Sequence, residues 1–429
     1  MGAVAEPAKA SPGTASATAV AVDPDGSTKP KPSLAQERKE HVGEVDLVLA
    51  GGGVKGIAHV GAVKALHDAG YTAHPRIAGT SVGAIVGALL AKGQSPCEVW
   101  QELYDFDFSK VADHRKQEIP VLSDLAKRFG QDLHVPNLGP LTDFLGLRDR
   151  QGSHRGLVAT RWLGRVFRDG PQTFGDLADA AGRDIDDRPP LVIMATDVTL
   201  GRLVQFPRDF ALVYGVDPRQ QSIFHAVRAS MSIPLYFEPY AIDPVGRRDP
   251  KALGNLRTSR FVDGGVLANF AVDVLDRAAD ENLSHLRPRW PTFGVTLLRG
   301  ESAARVGRNL RDNVADFGDV DDVLLGNLGP FADALIGTAV IGQDEMASQH
   351  WWMARRTIRV DTRGYDIVDF GITNDGKRDL YARGYAATQD FLANTWKVDG
   401  KKLGFDGRGQ FPLPVPLPAD QIEPCKDAA

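Results

Sequence analysis

The sequence predicts an α/β fold in which a mostly parallel central sheet carries helices on both faces. Short apolar runs bounded by glycine or proline recur along the chain, and segments with apolar residues at helical spacing lie between them. Parallel strands need a crossover connection, commonly a helix, so this alternation favours a parallel sheet over a series of hairpins. The runs are apolar at nearly every position, which is typical of strands buried on both faces.

The first part of the chain shows the pattern most clearly. Residues 45–50 form an apolar run that ends in glycines, and residues 57–69 follow with apolar side chains at three-residue steps until Gly70. These features predict a strand and then a helix that stops at the glycine. Residues 76–80 predict a second strand. The helix predicted over 82–91 is apolar nearly all round, which indicates burial at the centre of the domain.

Further strands are predicted at regular intervals. Residues 190–196 and 291–298 are long apolar runs, residues 357–360 are a candidate edge strand, and Phe261-Val262 leads as a strand into Asp263. No internal repeat is present. The chain is therefore expected to form one α/β domain.

The segments that flank this domain differ from it in composition. Residues 1–42 are rich in Ala, Pro, Ser and Thr with almost no large apolar side chain, which predicts a disordered tail. The domain is expected over 43–400, with residues 106–171 as a possible cap over the site. Residues 401–429 contain alternating prolines that favour an extended conformation. Two interpretations of residues 401–429 are open: a strap docked on the domain, or a free tail.

Charge and cysteine usage exclude several classes of protein. A net charge of −5 gives no basic footprint for nucleic acid. The two cysteines, Cys97 and Cys425, indicate free thiols rather than a disulfide framework or a zinc cluster. No signal peptide is recognised, and residues 82–91 are about half the ~20 residues that a membrane-spanning helix needs. We expect a cytoplasmic or peripheral membrane protein of unknown oligomeric state.

Three short segments carry candidate chemistry. They are a glycine-rich turn over 51–56, a Gly-x-Ser-x-Gly sequence over 79–83 and an Asp-Gly-Gly turn over 263–265. The serine could cap the helix that follows it. However, its setting between a predicted strand and a predicted helix is typical of a nucleophile elbow, a sharp turn with room for no side chain except the nucleophile's own. Together the segments predict acyl transfer by Ser81.

The glycine-rich turn has two interpretations. Its Gly-x-Gly-x-x-Gly spacing also fits dinucleotide binding, but that function needs an acid near the end of the second strand, where Arg76, Ile77 and Ala78 stand. Alternatively the backbone N–H groups, those of Gly52 and Gly53 above all, form an oxyanion hole at a helix N-terminus. Two interpretations of Lys55 are open: its side chain is solvated, or it binds a phosphate or carboxylate of the substrate.

The serine also needs a base. Six histidines follow Ser81, and none stands at an evident strand end; the best of them is His350, beside two tryptophans. Asp263 is the better candidate, because a carboxylate in a poorly hydrated cleft has the raised pKa that a general base requires. A simple turn-forming aspartate is the alternative.

Assembled, these segments resemble the motifs of the patatin-like phospholipases, serine lipid acyl hydrolases that use a Ser–Asp dyad. The resemblance covers roughly residues 43–395 and implies a three-layer α/β/α patatin-like fold. Residues 195–202 resemble the family's central strand and turn, and residues 229–239 its Ser-x-x-x-Pro segment. After the dyad turn, Asn269-Phe270-Ala271 departs from the family, which often has a proline after Asn-x.

The resemblance assigns roles to named residues. It implies the catalytic residues Ser81 and Asp263, the oxyanion-hole residues Gly51, Gly52, Gly53 and Lys55, and the elbow and dyad-turn glycines Gly79, Gly83, Gly264 and Gly265. It implies no metal and no other cofactor. The expected substrate is a phospholipid or lysophospholipid, met by peripheral contact with a membrane or micelle. A lipid acyltransferase, a general carboxylesterase and a non-catalytic lipid-binding module are the alternatives.

Overall fold

The computed structural model describes residues 43–111, 152–186, 188–242, 259–276, 290–298, 351–365, 367, 369–397 and 421–425. The predicted tail over 1–42, most of the predicted cap and of the Pro-rich tail, and the alternative base His350 lie outside these residues.

Nine strands are found in the described part of the chain. They are β1 Asp46–Leu49, β2 Ile77–Thr80, β3 Gly152–His154, β4 Leu191–Asp197, β5 Arg202–Phe206, β6 Leu235–Phe237, β7 Phe261–Asp263, β8 Thr292–Leu298 and β9 Thr357–Asp361. Seven form one sheet in the order β5-β4-β2-β1-β8-β9, with β7 also paired to β4, while β3 and β6 pair separately. Strands β1, β2, β4, β8 and β9 are mutually parallel, whereas β5 and β7 run antiparallel to β4. The mostly parallel sheet is confirmed, with 357–361 at its edge.

The described helices are α1 Ile57–Asp68, α2 Val82–Ala91, α3 Pro96–Asp105, α4 Leu157–Val166, α5 Phe174–Ala180, α6 Arg208–Leu212, α7 Ile223–Ser230, α8 Gly265–Ala268, α9 Trp351–Ala354 and α10 Asn374–Asp390. Nine of the ten residues of α2 are buried, as its apolar sequence predicted. Helices α1 and α10 cross where a Cβ at Gly61 would lie 1.9 Å from the Tyr381 carbonyl oxygen and a Cβ at Gly384 1.9 Å from that of Ala58. No described helix is long and apolar enough to cross a bilayer.

The expectation of two free thiols is wrong. Cys97 on α3 and Cys425 form a disulfide that joins residues 328 positions apart. The side chain of Ile422 is also buried in the main core, so residues 421–425 lie against the body of the domain. Two lone cysteines in a sequence carry no signal of proximity, because only the folded chain brings them together.

Candidate active site

Ser81 occupies a strained turn between β2 and α2. Its φ of 54° and ψ of −123° make it the one non-glycine residue of the described chain with a positive φ. The turn is possible because the flanking residues lack side chains: a Cβ at Gly79 would lie 2.3 Å from the Gly83 carbonyl oxygen, and a Cβ at Gly83 2.2 Å from that of Leu49. Strain at a single well-supported residue is typical of a functional position.

The glycine-rich turn lies directly against this serine. A Cβ at Gly51 would lie 3.3 Å from Ser81 Cβ and 2.5 Å from Asn269 Oδ1, so no side chain fits there. The next two N–H groups, those of Gly52 and Gly53, donate no hydrogen bond within the described residues. Gly53 has a φ of 56°, and a short 3₁₀ turn then leads into α1. Two amide donors without a partner among the described residues therefore follow Gly51, the residue that packs against Ser81.

Two predicted members of the oxyanion region need correction. The Gly51 N–H group donates to the Asn269 carbonyl oxygen at 3.2 Å and is not available to a substrate oxygen. Gly51 therefore contributes through its missing side chain. The interpretation of Lys55 as a solvated lysine is wrong, because its side chain is 4% exposed. Its backbone N–H group donates to the Gly52 carbonyl oxygen at 3.2 Å and shapes the turn.

Strands β2 and β7 meet end to end along one edge of β4. Strand β5 occupies the opposite edge of β4, where it pairs with residues 193–197. Strands β2 and β7 therefore share the remaining edge. There β2 pairs with Leu191–Met194, and β7 pairs with Ala195–Asp197. Thr80 therefore pairs with Met194, and Asp263 pairs with the next residue along β4. The carboxyl ends of two strands therefore meet here: β2 leads into Ser81, and β7 ends at Asp263.

The dyad turn packs closely on this junction. A Cβ at Gly264 would lie 2.4 Å from the Met194 carbonyl oxygen and 3.0 Å from Thr80 Cγ2. The Asp263 side chain is 8% exposed, and its Oδ1 accepts a hydrogen bond from the Gly265 N–H group at 2.8 Å. Ser81 itself is 4% exposed. Both predicted catalytic groups are thus shielded from bulk water.

Ser230 and Ser232 hold the two predicted catalytic residues in place. Ser230 Oγ accepts from the Ser81 N–H group at 2.9 Å and donates to the Met194 carbonyl oxygen at 2.6 Å. The Asp263 N–H group donates to the Ser232 carbonyl oxygen at 2.7 Å. The sequence offered only the Ser-x-x-x-Pro resemblance as a signal for this segment. Its position between the elbow and the dyad turn gives it a physical role.

A buried histidine supports the glycine-rich turn from below. His59 lies on α1 with no exposed surface, and its Nε2 donates to the Ala50 carbonyl oxygen at 2.8 Å. Desolvation by burial lowers the pKa of His59 to about 4, so the ring is neutral at pH 7. The last peptide before the turn is fixed by this bond. The role of His59 was not predictable from the sequence, because the residue stands among apolar neighbours like any core residue.

The described histidines that follow Ser81 take other partners. His154 Nδ1 lies 3.2 Å from the Tyr236 carbonyl oxygen, and His225 Nδ1 lies 2.7 Å from the Tyr240 hydroxyl oxygen. Within the described chain the Ser81 hydroxyl forms no hydrogen bond, either to a histidine or to Asp263. Catalytic hydrogen bonds are often long in unliganded enzymes and shorten when substrate binds.

A cavity lined by described residues lies away from Ser81. It has a volume of about 500 Å³ and is lined by residues that precede β1, β2 and β4 or follow α2, including Glu44, His74, Ser95 and Arg183. This is the amino-terminal edge of the sheet, opposite to Ser81. The cavity and the candidate active site are therefore separate features.

The fold and the site together define a class of protein: an α/β protein with a serine elbow at the carboxyl edge of its sheet, the arrangement of α/β serine hydrolases. Residues 47–276 match the family model of patatin-like phospholipase. The chain belongs to the patatin-like phospholipase family, as the three motifs indicated.

Relatives and solved structures resemble the chain to different extents. The uncharacterized protein YqhO of Bacillus subtilis is 31% identical over 275 residues, which are 64% of this chain and 78% of YqhO. The lysophospholipase nte1 of Aspergillus fumigatus is 56% identical over 48 residues, 11% of this chain and only 3% of that much longer protein. The crystal structure of VipD from Legionella pneumophila has a TM-score of 0.41 at 16% identity, covering 82% of this chain and 67% of VipD.

Proposed function

We propose that this protein is a serine hydrolase that cleaves fatty-acyl ester bonds of phospholipids or lysophospholipids, with Ser81 as nucleophile and Asp263 as general base. One observation carries the proposal. The strained Ser81 and the turn that carries Asp263 lie where β2 and β7 meet along β4, and Gly51, which precedes the N–H groups of Gly52 and Gly53, packs against Ser81. Family membership supports the lipid ester as substrate.

In the first half of the reaction Ser81 takes the acyl group. Its Oγ attacks the ester carbonyl carbon while the hydroxyl proton passes to the Asp263 carboxylate. The carbonyl oxygen becomes negative and accepts hydrogen bonds from Gly52 and Gly53, and each such donor contributes about 10²–10³ in rate in comparable enzymes. The bond to the alcohol then breaks, the alcohol oxygen takes the proton from Asp263, and an acyl-Ser81 ester remains.

In the second half water takes the place of the alcohol. Asp263 removes a proton from the water as its oxygen attacks the acyl carbon, and the same two amides hold the oxygen anion. The bond to Ser81 Oγ breaks, the proton returns to Ser81, and the fatty acid leaves. The intact enzyme is restored with no cofactor consumed.

The test is product identification on a lipid panel with the full chain. We expect release of free fatty acid from a phospholipid or lysophospholipid, detected by mass spectrometry, together with covalent labelling of Ser81 by a fluorophosphonate probe. The Ser81→Ala variant is the control and should show neither. Transfer of the acyl chain to an added alcohol without fatty-acid release would indicate an acyltransferase. Absence of both labelling and turnover would overturn the proposal.

A further inference from the structure

The tip of the β4–β5 hairpin exposes apolar side chains. Among the described residues the exposed large apolar side chains are Leu157, Val198, Leu200, Leu212 and Leu267. Val198 and Leu200 lie in the turn between β4 and β5, at 48% and 51% exposure, and Leu267 at 37% lies on α8, just after the dyad turn. Single exposed apolar residues are normal on protein surfaces. Three of five near one end of the sheet require a reason.

The hairpin tip is also held rigidly. Asp197 Oδ1 accepts from the N–H groups of Thr199 at 2.8 Å and Leu200 at 3.0 Å. The Val198 N–H group donates to the Arg260 carbonyl oxygen, and the Arg260 N–H group donates to Thr199 Oγ1, both at 2.9 Å. With its backbone fixed on two sides, the turn presents Val198 and Leu200 to solvent in a defined conformation.

Positive charge flanks the apolar tip. Arg202 follows the turn and Arg260 pairs with it, and both residues are exposed. The carboxylate of Asp197 is fully buried and takes a further hydrogen bond from the Tyr214 hydroxyl at 2.7 Å. Apolar side chains between exposed arginines suit a bilayer with anionic headgroups, because the arginines are attracted to the lipid phosphates while the apolar groups enter the interface.

The position of the tip relates it to the catalytic residues. It follows the carboxyl end of β4, on the same side of the sheet as the carboxyl ends of β1 and β2, which lead into the glycine-rich turn and Ser81. Asp197 stands two residues beyond Ala195, the partner of Asp263. Val198, the first residue of the tip, stands three residues beyond Ala195, so at about 3.4 Å per residue the tip begins roughly 10 Å along the sheet from the dyad aspartate.

We infer that the tip surface, defined as Val198, Leu200, Arg202, Arg260 and Leu267, docks this protein on an anionic lipid bilayer at the carboxyl edge of the sheet. This inference rests on the proposed lipid substrate and names the surface by which that substrate is reached. A docked tip places the carboxyl edge of the sheet at the lipid interface. A phospholipid can then pass from the bilayer into the site without crossing water.

The experiment measures binding of the full chain to vesicles by flotation. Vesicles of phosphatidylcholine are compared with vesicles in which a third of the lipid is phosphatidylglycerol. The double variant Val198→Thr with Leu200→Gln should lower the partition coefficient on both about tenfold, through the lost apolar burial. The double variant Arg202→Gln with Arg260→Gln should lower it about tenfold on the anionic vesicles alone.

Leu212→Gln on α6 is the matched control, since Leu212 is the most exposed of the five apolar residues at 73%. It should bind like the wild type. Equal binding of the Val198→Thr, Leu200→Gln variant and the wild type, or an equal loss in the Leu212→Gln variant, would overturn the inference.

Two further measurements separate this inference from the proposed function. Ser81→Ala should bind vesicles like the wild type although it hydrolyses nothing. The hairpin variants should keep wild-type hydrolysis of a water-soluble short-chain ester, p-nitrophenyl butyrate, and lose turnover on vesicles. If the wild type binds vesicles through the tip but cleaves no ester, the function proposal fails and the docking surface remains. If the wild type cleaves the soluble ester and the tip variants bind vesicles normally, the docking surface fails and the function proposal remains.

Discussion

The two edges of the central sheet are built differently. At the carboxyl edge the glycine-rich turn, the serine elbow and the dyad turn pack closely: a Cβ at Gly79, Gly83 or Gly264 would lie within 2.4 Å of a backbone carbonyl oxygen. At the amino-terminal edge the chain is open around a cavity of about 500 Å³. His67 and His74 line that cavity, with their hydrogen-bonded ring nitrogens 2.9 Å apart. The ion pair of Asp46 with Arg76 lies at the same edge, where β1 and β2 begin.

The difference shows that cavity size is a poor guide to chemistry in this protein. The large cavity contains no strained residue and no arrangement of nucleophile, base and amide donors. The strained Ser81 and the proposed nucleophile, base and amide donors lie at the closed edge, since an oxyanion is stabilised by donors fixed in advance rather than by space. Substitutions of matched residues at the two edges should therefore separate loss of turnover from loss of stability.

The largest expected effect distinguishes two serines. Ser81→Ala should reduce ester hydrolysis about a thousandfold or more, because the nucleophile is lost, with little change in the thermal midpoint. Ser95→Ala at the open edge removes a helix cap, since Ser95 Oγ accepts from the Glu98 N–H group at 3.2 Å. It should cost about 1 kcal/mol of unfolding free energy and leave turnover intact. Initial rates and thermal melts of both variants check this, and substantial activity in Ser81→Ala would remove Ser81 from the mechanism.

Two buried aspartates extend the comparison. Asp263→Asn keeps the shape and deletes the basicity, so its loss of turnover should approach that of Ser81→Ala, and the double variant should lose little more. Asp46→Asn breaks the pair with Arg76 and should cost about 3–5 kcal/mol of stability. Its turnover per folded molecule should remain near that of the wild type.

Rates normalised to the folded fraction distinguish these outcomes. His225→Gln serves as an additional control and should stay active, because the His225 ring bonds to Tyr240. A His225→Gln variant as inactive as Ser81→Ala would replace the dyad by a Ser–His–Asp triad.

The disulfide should act on stability alone. Changing Cys97 and Cys425 together to serine should lower the unfolding free energy by about 2–4 kcal/mol, since the unfolded chain gains freedom when a long loop is opened. Urea melts with and without reductant measure the change. Reductant should lower the stability of the wild type by the same amount and should leave the stability of the variant unchanged. A fall in turnover at a temperature where the variant is folded would contradict a purely structural role.

Acid should destabilise the protein through histidines at both edges. Burial lowers the pKa of His59 to about 4 and that of His74 to about 3. Both values lie below the unfolded value of about 6.5, so only the unfolded chain takes up these protons as pH falls from 6.5. Stability is therefore complete above pH 6.5 and declines below it, by up to about 3 kcal/mol from His59 at pH 4.

Urea melts between pH 7 and pH 4 measure this slope. His59→Gln and His74→Gln should each make it shallower. Only His59→Gln should also lower turnover, because Nε2 of His59 holds the Ala50 carbonyl oxygen beneath the glycine-rich turn. An unchanged slope in both variants would mean that other groups cause the acid sensitivity.

The smallest expected effect is that of metal removal. If the amides of Gly52 and Gly53 hold the developing charge, EDTA should leave turnover unchanged, unlike in enzymes where a metal does so. Activity assays before and after chelation provide the test. Loss of turnover in EDTA with recovery in calcium would point to a metal site in the mechanism.

Much of the fold was predictable because its signals are local. The strands at 45–50, 76–80, 190–196 and 291–298 are apolar runs, and the structure assigns them as strands within one residue at each end. The antiparallel β5 was not predicted, although its burial alternates along Arg202–Phe206 as in a half-buried strand.

The site was predictable only in part for a similar reason. Ser81 and Asp263 stand in glycine-rich turns with a recognisable sequence. The partners of the glycine-rich turn have no recognisable sequence. The Asn269 carbonyl oxygen accepts from the Gly51 N–H group, and His59, inside a helix, donates to the Ala50 carbonyl oxygen just before the turn. These contacts depend on which chain segments meet, and no local pattern encodes that.

The bond between Cys97 and Cys425 also decides what a protease can separate. The elbow serine lies before Cys97 in the chain, and the dyad aspartate lies between the two cysteines. A single cut anywhere from residue 98 to residue 262 places Ser81 on one fragment and Asp263 on another. The fragment that carries Asp263 nevertheless ends in the segment with Cys425 and stays covalently tethered to the fragment that carries Ser81. The nicked protein would run as one species until a reductant is added, with both halves of its dyad retained in one molecule.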